Sequence, residues 1–231
     1  MRVWDVSPGY LNRQSLLGEH RELHGIVSII VKGKKGYSNH PETMRWVGYG
    51  WALKQRHKQL SCEMMLRGFT DKSPVTTRSN RGIWPDVYID EPSQQYEILK
   101  SKYLNKEEGR IPLPVNAQHL WSHHKYSVLA RNVNAYKEIG RDVAKKVSFS
   151  ELAMVLSEFL RTRPPDGGIR NSLQHMWGHV SDRPGNRNMN VEFWQSIRLL
   201  KEIQKRSVTS QDTYLMSSTA LSELMVWLPC A

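Results

Sequence analysis

The clearest amphipathic pattern predicts a helix from about Asn12 to about Val31. Its apolar residues recur at three-, four- and seven-residue spacing and form one buried stripe; they are Leu16, Leu23, Ile26, Val27 and Ile30. Asn12 is a favourable N-cap, because its side-chain oxygen accepts a hydrogen bond from a free backbone amide of the first turn. We therefore expect one long helix near the start of the chain, packed through this stripe.

A second face of this predicted helix carries a carboxylate between two glycines. Ser15, Gly18, Glu22 and Gly25 are three or four residues apart. Each glycine inside a helix costs roughly 1 kcal/mol relative to alanine. We expect open space on both sides of Glu22 and a backbone that a ligand approaches closely. The alternative is a helix–helix contact through the glycines, with Glu22 solvated.

The rest of the chain also shows helical periodicity, and no alternating strand pattern is strong. The predicted helices cover residues 42–67, 93–106, 116–132, 134–146, 148–163, 167–180, 190–206 and 212–227. In the first of these, Met44, Trp51, Leu60 and Met64 are predicted to face a core, and Trp46 and Tyr49 either stack on bases or belong to the core. Residues 71–92 are predicted to be irregular, and Pro112 and Pro114 cannot lie inside a helix. The sequence therefore predicts an all-α protein of two helical units joined by a proline-containing linker, with domains 1–111 and 112–231.

Positive charge is concentrated near the predicted first helix. The net charge is +11, and residues 1–82 contain fourteen Lys or Arg and six Asp or Glu, a balance of +8. Lys32, Lys34 and Lys35 lie in a glycine-containing segment after the helix, where lysines and backbone amides can contact phosphates without reading sequence. The alternative for this segment is a solvated hairpin loop. The distribution favours a polyanionic partner, although ribosome or membrane-surface binding gives a similar total.

The N-terminal amine is a candidate nucleophile. Arg2 is too large for removal of the initiator methionine, so we expect Met1 to be retained. An α-amine has a reference pKa of about 7.7–8.0, so a large fraction is neutral near pH 7 and able to form a Schiff base. Val3, Trp4 and Val6 are apolar and should hold the terminus against the protein. The alternative is the disorder common at chain ends.

The segment from Gln14 to Leu23, QSLLGEHREL, resembles the pyrimidine-dimer DNA glycosylase/AP lyase family of the phage endonuclease V type. That family has the pattern Q-H-L-x-x-E-[YH]-R-E-L in its helix. Residues 53–57 and 63–69, LKQRH and EMMLRGF, extend the resemblance through a second helix ending in R-G-F. The family has histidine at the position of Ser15 and arginine at that of Gly25.

This resemblance implies an enzyme that excises damaged pyrimidines, such as cyclobutane dimers, from double-stranded DNA without a cofactor. It implies that Met1 and Glu22 are catalytic, that an imine forms on the Met1 α-amine, and that Arg2, Gln14 and Arg21 bind DNA. With the charge pattern, the predicted DNA-binding set becomes Arg2, Gln14, Arg21, Lys32, Lys34, Lys35 and Arg45. Two alternatives remain: a non-catalytic, basic nucleic-acid-binding adaptor, and a base-modifying activity on RNA carried by the C-terminal domain.

Three separated motifs in the second half resemble the uncharacterised YbgA-like domain, which implies no established activity. They span residues 125–130, 136–141 and 171–175, with the sequences KYSVLA, YKEIGR and NSLQH. A phosphate site is predicted where Arg163, Gly168 and Arg170 surround a helix N-terminus; the alternative is ordinary loop capping.

Other chemistry receives little support from the sequence. The pairs His119/His123 and His175/His179 have i,i+4 spacing that can chelate zinc, but no acidic third ligand is evident, and we predict no metal. Cys62 and Cys230 are the only cysteines, so no disulfide framework or cysteine metal site is expected, which fits a reducing cytosol. We also expect no signal peptide, no membrane span and a cytoplasmic, nucleoid-associated location.

Overall fold

The structure, a computed structural model, describes residues 1–181 and 190–229; Cys230 lies outside them. The described residues form helices, turns and irregular segments without a strand, so the all-α prediction is confirmed. The chain divides into two compact units, Met1–Gly109 and Arg110–Ala231. None of the helices in the described part is long and apolar enough to cross a membrane.

The first unit contains a short 3-10 turn, Pro8–Tyr10, and four helices: α1 Arg13–Lys32, α2 Pro41–Arg45, α3 Gly50–Leu66 and α4 Pro92–Lys102. Helix α1 begins as predicted, because the Asn12 side chain accepts a hydrogen bond from the Ser15 N–H at 2.8 Å. It ends where Gly33 adopts a left-handed conformation with φ of 60°, which glycine takes readily. Leu23 and Ile26 are fully buried against the unit, whereas Val27 and Ile30 are only half-buried.

The predicted single helix over residues 42–67 is wrong. Helices α2 and α3 are separated by a turn in which Gly48 has φ of 88°, a backbone conformation incompatible with a continuing helix. Because the helix is interrupted, the buried residues do not follow one continuous helical pattern. Met44, predicted to face the core, is 56% exposed, and Trp46 is 1% exposed. Trp46 therefore belongs to the core and does not present a face for base stacking.

Helix α4 confirms the predicted helix over residues 93–106 as far as Lys102, and residues 103–106 form a turn instead. Tyr96, Leu99 and the C-cap residue Tyr103 are buried. The chain from residue 67 to residue 91 contains no helix, as its prolines predict. Close to the end of the unit, Gly109 packs against the 3-10 turn. A Cβ atom there would lie 2.5 Å from the backbone of Tyr10, so only glycine permits this contact.

The second unit contains α5 Ala117–Arg131, α6 Val133–Ala144, α7 Phe149–Arg161, α8 Asp166–Trp177, α9 Ser196–Thr209, α10 Thr213–Met216 and α11 Ala220–Glu223, followed by a 3-10 turn, Leu224–Trp227. Helix α5 is central and packs against α6, α7 and α8. The predicted capping residue Ser148 accepts a hydrogen bond from the Glu151 N–H at 3.1 Å and starts α7.

The predicted helix over residues 212–227 is also wrong, because it is divided into α10, α11 and the 3-10 turn. The Arg110 guanidinium donates to the carbonyl oxygens of Met216 and Ser218. The Thr219 N–H donates to the His123 carbonyl oxygen at 2.9 Å rather than within the helix. These contacts to distant residues replace the hydrogen bonds of a continuous helix.

Candidate functional site

Glu22 lies on α1 beside the first residues of the chain. Its Oε2 atom accepts a hydrogen bond from the Arg2 backbone N–H at 2.5 Å. Val3 is 1% exposed, and Trp4 and Val6 are also buried, as their apolar character predicts. The start of the chain therefore packs along α1, and Met1 directly precedes the residue whose backbone N–H binds the Glu22 carboxylate.

Two buried arginines, Arg45 and Arg56, and the partly buried Arg67 hold the N-terminal segment in this position. Arg56 donates to the Val6 carbonyl oxygen at 2.9 Å. Arg67 donates to the Leu11 carbonyl oxygen at 2.7 Å, and Arg45 forms a buried ion pair with Asp5. A guanidinium carries five donors in a fixed fork, which lets each arginine bind a backbone carbonyl or carboxylate while it pairs with an acid.

Two carboxylates of α1 differ sharply in their surroundings. Glu19 is buried, binds both Nε and Nη2 of Arg56 at 2.7 and 2.9 Å, and accepts a hydrogen bond from the Trp4 N–H. Burial raises the pKa of Glu19 to about 7, against the lowering effect of Arg56 and Trp4. Glu22 is half-buried. Glu19 thus has a structural environment, while Glu22 remains the carboxylate that a ligand can reach.

The glycines near Glu22 leave the expected open space. A Cβ atom at Gly18 or at Gly25 would meet no atom within 4 Å apart from the backbone of α1 itself. Neither glycine is therefore required for helix packing. This excludes the alternative in which the glycines form a helix–helix contact. Ser15, where the resembling family has histidine, is buried and faces the protein.

The predicted DNA-binding residues separate into two groups. Gln14, Arg21, Lys32, Lys34 and Lys35 are exposed along α1 and the segment that follows it. Arg2 is half-buried, pairs with Asp90 and lies over the Trp4 ring. Arg45 is buried between Asp5 and Glu42, so the structure does not bring it to the exposed basic surface.

Internal ion pairs neutralise most of the acidic side chains of residues 1–82. Arg45, Arg56 and Arg67 pair with four buried acids, Asp5, Glu19, Glu42 and Glu63. Removing these from the fourteen basic and six acidic residues of 1–82 leaves eleven bases and two acids. A positive field of this kind attracts a polyanion.

Three histidines and an aspartate converge between α1 and α3. The Nε2 atoms of His24 and His57 are 3.1 Å apart. The carboxylate of Asp71 lies 3.3 Å from the Nε2 atoms of both His20 and His57. One ligand atom from each of the four residues fits within 4.8 Å of all the others, so the group has the composition and spacing of a metal site.

The protonation states in this cluster also suit metal ligation. Burial lowers the pKa of His24 and lowers that of His57 to about 4, although Asp71 opposes both shifts. Burial acts to raise the pKa of Asp71, but hydrogen bonds from Ser73 and Ser61 and the neighbouring imidazoles hold it below its usual range. These shifts favour neutral imidazoles at His24 and His57 and a carboxylate at Asp71 near neutral pH.

Sequence reasoning missed this cluster, although one signal was present. His20 and His24 have the same i,i+4 spacing as the two pairs considered in the second unit. In that unit, the ring centroids of His119 and His123 are 6.4 Å apart. The Nε2 atom of His179 forms a 2.7 Å hydrogen bond with the Tyr126 hydroxyl. Among the described residues, only the cluster of the first unit brings three or more potential ligand residues together.

The predicted phosphate site of the second unit is not assembled. Arg170 donates to the carbonyl oxygens of Val191, Glu192 and Trp194. Gly168 faces α5, where a Cβ atom would lie 2.1 Å from the Ala130 carbonyl oxygen. Arg163 is exposed and 3.7 Å from Asp166. Helix packing accounts for Gly168, and hydrogen bonds to the segment before α9 account for Arg170.

The sequence motifs of the second unit meet around one groove of about 710 Å³. All three motifs contribute to its wall, with Tyr126, Ala130, Tyr136, Lys137, Asn171 and His175. The groove lies where α5, α6 and the start of α8 meet, which explains why the motifs are separated in sequence.

Comparisons with known proteins agree with both resemblances. Residues 1–77 match the family model described as pyrimidine dimer DNA glycosylase, and residues 125–205 match a family described as protein of unknown function, DUF1722. Searches of curated proteins and of solved structures gave no match. The chain therefore joins a segment similar to the pyrimidine dimer DNA glycosylase family to a segment similar to an uncharacterised family.

Proposed function

We propose that this protein is a DNA glycosylase with AP-lyase activity that excises damaged pyrimidines, such as cyclobutane dimers, from double-stranded DNA. The observation that carries the proposal is the hydrogen bond from the Arg2 N–H to Glu22, which keeps the start of the chain beside a reachable carboxylate. The family match of residues 1–77 supports the glycosylase class.

In the proposed reaction, the neutral α-amine of Met1 attacks C1′ of the damaged nucleotide. The C1′–N bond breaks, and the base takes the bonding electrons and a proton; the C1′–O4′ bond then breaks, O4′ takes a proton, and the amine nitrogen becomes doubly bonded to C1′ as an imine. The protonated imine acidifies the C2′ hydrogen. Loss of that proton expels the 3′ phosphate by β-elimination, and water then hydrolyses the imine to free Met1.

Glu22 has two roles in this scheme. Its negative charge stabilises the cationic sugar as the base leaves, and its carboxylate accepts and returns protons during ring opening and elimination. The open space beside Gly18 and Gly25 admits the sugar and its flanking phosphates. An enzyme acting on C1′ must first expose the target nucleotide, so we expect the bound duplex to be bent and locally unstacked.

Exposed basic residues supply the affinity for the duplex. Arg21, Lys32, Lys34 and Lys35, together with the polar Gln14, extend along α1 and beyond its end. Phosphate contacts by such residues position the duplex and make binding dependent on salt. Arg45 is not included among the residues that contact DNA, because it forms a buried ion pair with Asp5.

The test is borohydride trapping on a duplex with a single abasic site. Borohydride reduces an imine to a stable amine, so the untagged protein should become covalently attached to the DNA. Mass spectrometry of the intact protein and of the trapped peptide should show that the chain begins at Met1 and that the adduct is on its α-amine. A matched form with several residues added before Met1 should bind the duplex equally but trap none of it.

Two results would contradict this proposal. Full trapping by the extended form would assign the imine to an internal lysine rather than to Met1. Salt-dependent binding by the untagged protein, with no trapping on abasic DNA and no cleavage of the glycosidic bond at a dimer, would favour the non-catalytic adaptor.

A further inference from the structure

We propose that His20, His24, His57 and Asp71 bind one zinc ion that joins α1 to α3 and to the segment following α3. Two ligands come from successive turns of α1, one from α3 and one from the irregular segment after it. Three imidazoles and a carboxylate are a donor set that zinc accepts with tetrahedral geometry. Nothing in the proposed glycosylase reaction uses these four side chains.

The distances between ligand atoms fit a tetrahedral ion. With zinc–ligand bonds of about 2.0–2.1 Å, the ligands of a tetrahedron lie about 3.3 Å from one another. The His24–His57 nitrogen separation is 3.1 Å, and Asp71 oxygens lie 3.3 Å from the Nε2 atoms of His20 and His57. These three separations therefore match a tetrahedral site, and one ligand atom from each of the four residues lies within 4.8 Å of all the others.

One polar atom of this cluster is buried and is not satisfied by the protein. The Nε2 atom of His20 is buried and makes no hydrogen bond, although it faces Asp71. A buried polar atom without a hydrogen bond is unfavourable, and a metal ion at the centre would satisfy it. The imidazole rings of His20, His24 and His57 surround this centre with ring centroids 4.7–5.1 Å apart.

Residues behind the aspartate orient it towards the histidines. The Ser61 hydroxyl donates to Asp71 Oδ2 at 2.8 Å, and the Ser73 N–H donates to Oδ1 at 2.9 Å. Such hydrogen bonds to a ligating carboxylate are a regular feature of protein metal sites. A carboxylate has about four lone-pair positions, so these two bonds leave capacity for a metal.

The position of the site indicates a structural role. At 3.6 residues per turn, His20 and His24 point about 180° away from Glu22 around α1. Four protein ligands also leave no open position for a substrate, as in structural zinc sites. The zinc would thus hold the face of α1 opposite to Glu22 against α3 and the segment that follows α3.

The first experiment measures metal in the full-length protein without a polyhistidine tag, because a tag binds zinc itself. The protein is loaded with zinc, dialysed against metal-free buffer and analysed by plasma mass spectrometry. We expect about one zinc per chain, and saturable binding in competition with a chromophoric chelator. Zinc should also raise the unfolding temperature, because it binds the folded state.

Variants locate the ion. His57→Ala should reduce zinc affinity by more than the roughly 10–100-fold that follows loss of a hydrogen-bond partner behind a ligand. The matched control is His119→Ala with His175→Ala, which removes one member of each i,i+4 pair in the second unit and should leave the zinc content unchanged. Zinc retained in His57→Ala but lost in the control would overturn the proposal.

A spectroscopic readout covers the case in which His57→Ala does not fold. Cobalt(II) in the wild-type protein should give the intense visible bands of a tetrahedral site. His57→Cys keeps four ligands and should add a thiolate-to-cobalt charge-transfer band in the near ultraviolet. Failure of the wild-type protein to retain zinc and to give tetrahedral cobalt bands would refute the site, whatever the outcome of the glycosylase test.

Discussion

The backbone N–H of Arg2 donates a hydrogen bond of 2.5 Å to the Glu22 carboxylate. A backbone donor is independent of the side chain at position 2, so this contact fixes the path of the chain rather than the identity of a residue. It orients Glu22 and holds the preceding α-amine within the same small region. The proposed nucleophile and its carboxylate are thereby prepositioned by one interaction.

Replacement of Glu22 by glutamine should separate catalysis from structure. The amide oxygen of Glu22→Gln can still accept the Arg2 N–H, so the fold and duplex binding should persist. Loss of the negative charge should lower the rate of base release by roughly 10²–10⁴-fold. Single-turnover excision and a binding titration on the same dimer-containing duplex measure the two effects; equal losses in both would assign Glu22 to binding.

Filling the space beside Glu22 should have opposite effects on stability and activity. Gly18→Ala adds a methyl group that meets no other part of the protein within 4 Å, and it should stabilise α1 by up to about 1 kcal/mol. The same methyl group would obstruct the approach of DNA to Glu22 and should weaken lesion binding and excision. Urea unfolding and excision kinetics test both parts; a more stable variant with full activity would show that the space is not used.

The sequence predicts α1 well because its signals are local. Asn12 caps the helix and Gly33 ends it, and both act within one turn of themselves. The break between α2 and α3 was missed because isolated glycines inside a helical pattern, here Gly48 and Gly50, usually do not end the helix. Its positive φ at Gly48 is enforced by the surrounding chain: the Gly50 N–H binds the Ser79 hydroxyl at 3.0 Å, 29 residues away.

The site residues show the same limit. The sequence shows that Arg45 is charged but does not show that it pairs with Asp5, because Asp5 lies forty residues earlier in the chain. The histidine cluster likewise forms only when folding brings His57 and Asp71 against α1, which ends at Lys32. Spacing within one helix is predictable from sequence, whereas contacts between segments require the packed structure.

The basic segment after α1 should contribute affinity without sequence specificity. Removing two phosphate contacts in Lys34→Ala/Lys35→Ala should reduce the slope of log binding constant against log salt by about 1.8. Lys145→Ala/Lys201→Ala removes two exposed lysines from the second unit and serves as the matched control. Fluorescence anisotropy with undamaged duplex over a salt series measures both slopes; an equal change in the control would assign the duplex contacts to both units.

Acid should destabilise the second unit through buried histidines of α5. Burial lowers the pKa of His124 to about 3 and that of His123 to about 4, whereas an unfolded histidine has a pKa near 6.5. Between these values the unfolded state binds more protons, so the free energy of unfolding falls as the pH falls below about 6.5. Hydrogen exchange of α5 at several pH values should show this loss.

A variant separates this effect from the titration of carboxylates. His124→Phe removes one group that protonates only on unfolding, so the decline of stability between pH 6.5 and 4 should become less steep. The exposed His119 on the same helix provides the control, and His119→Gln should retain the wild-type slope. An unchanged slope in His124→Phe would show that carboxylates govern the acid transition.

Adjacent glycines at the start of α8 should respond in opposite directions to alanine. Gly168→Ala would place a Cβ atom 2.1 Å from the Ala130 carbonyl oxygen and 3.0 Å from its carbon. Both are backbone atoms of α5, so the helices must separate, at an expected cost of about 1–3 kcal/mol. Gly167→Ala meets nothing within 4 Å and should be neutral or stabilising by up to about 1 kcal/mol. Urea unfolding of the two variants tests whether Gly168 is retained for helix contact; a stable Gly168→Ala that instead loses binding of inorganic phosphate would restore the anion site predicted from the sequence.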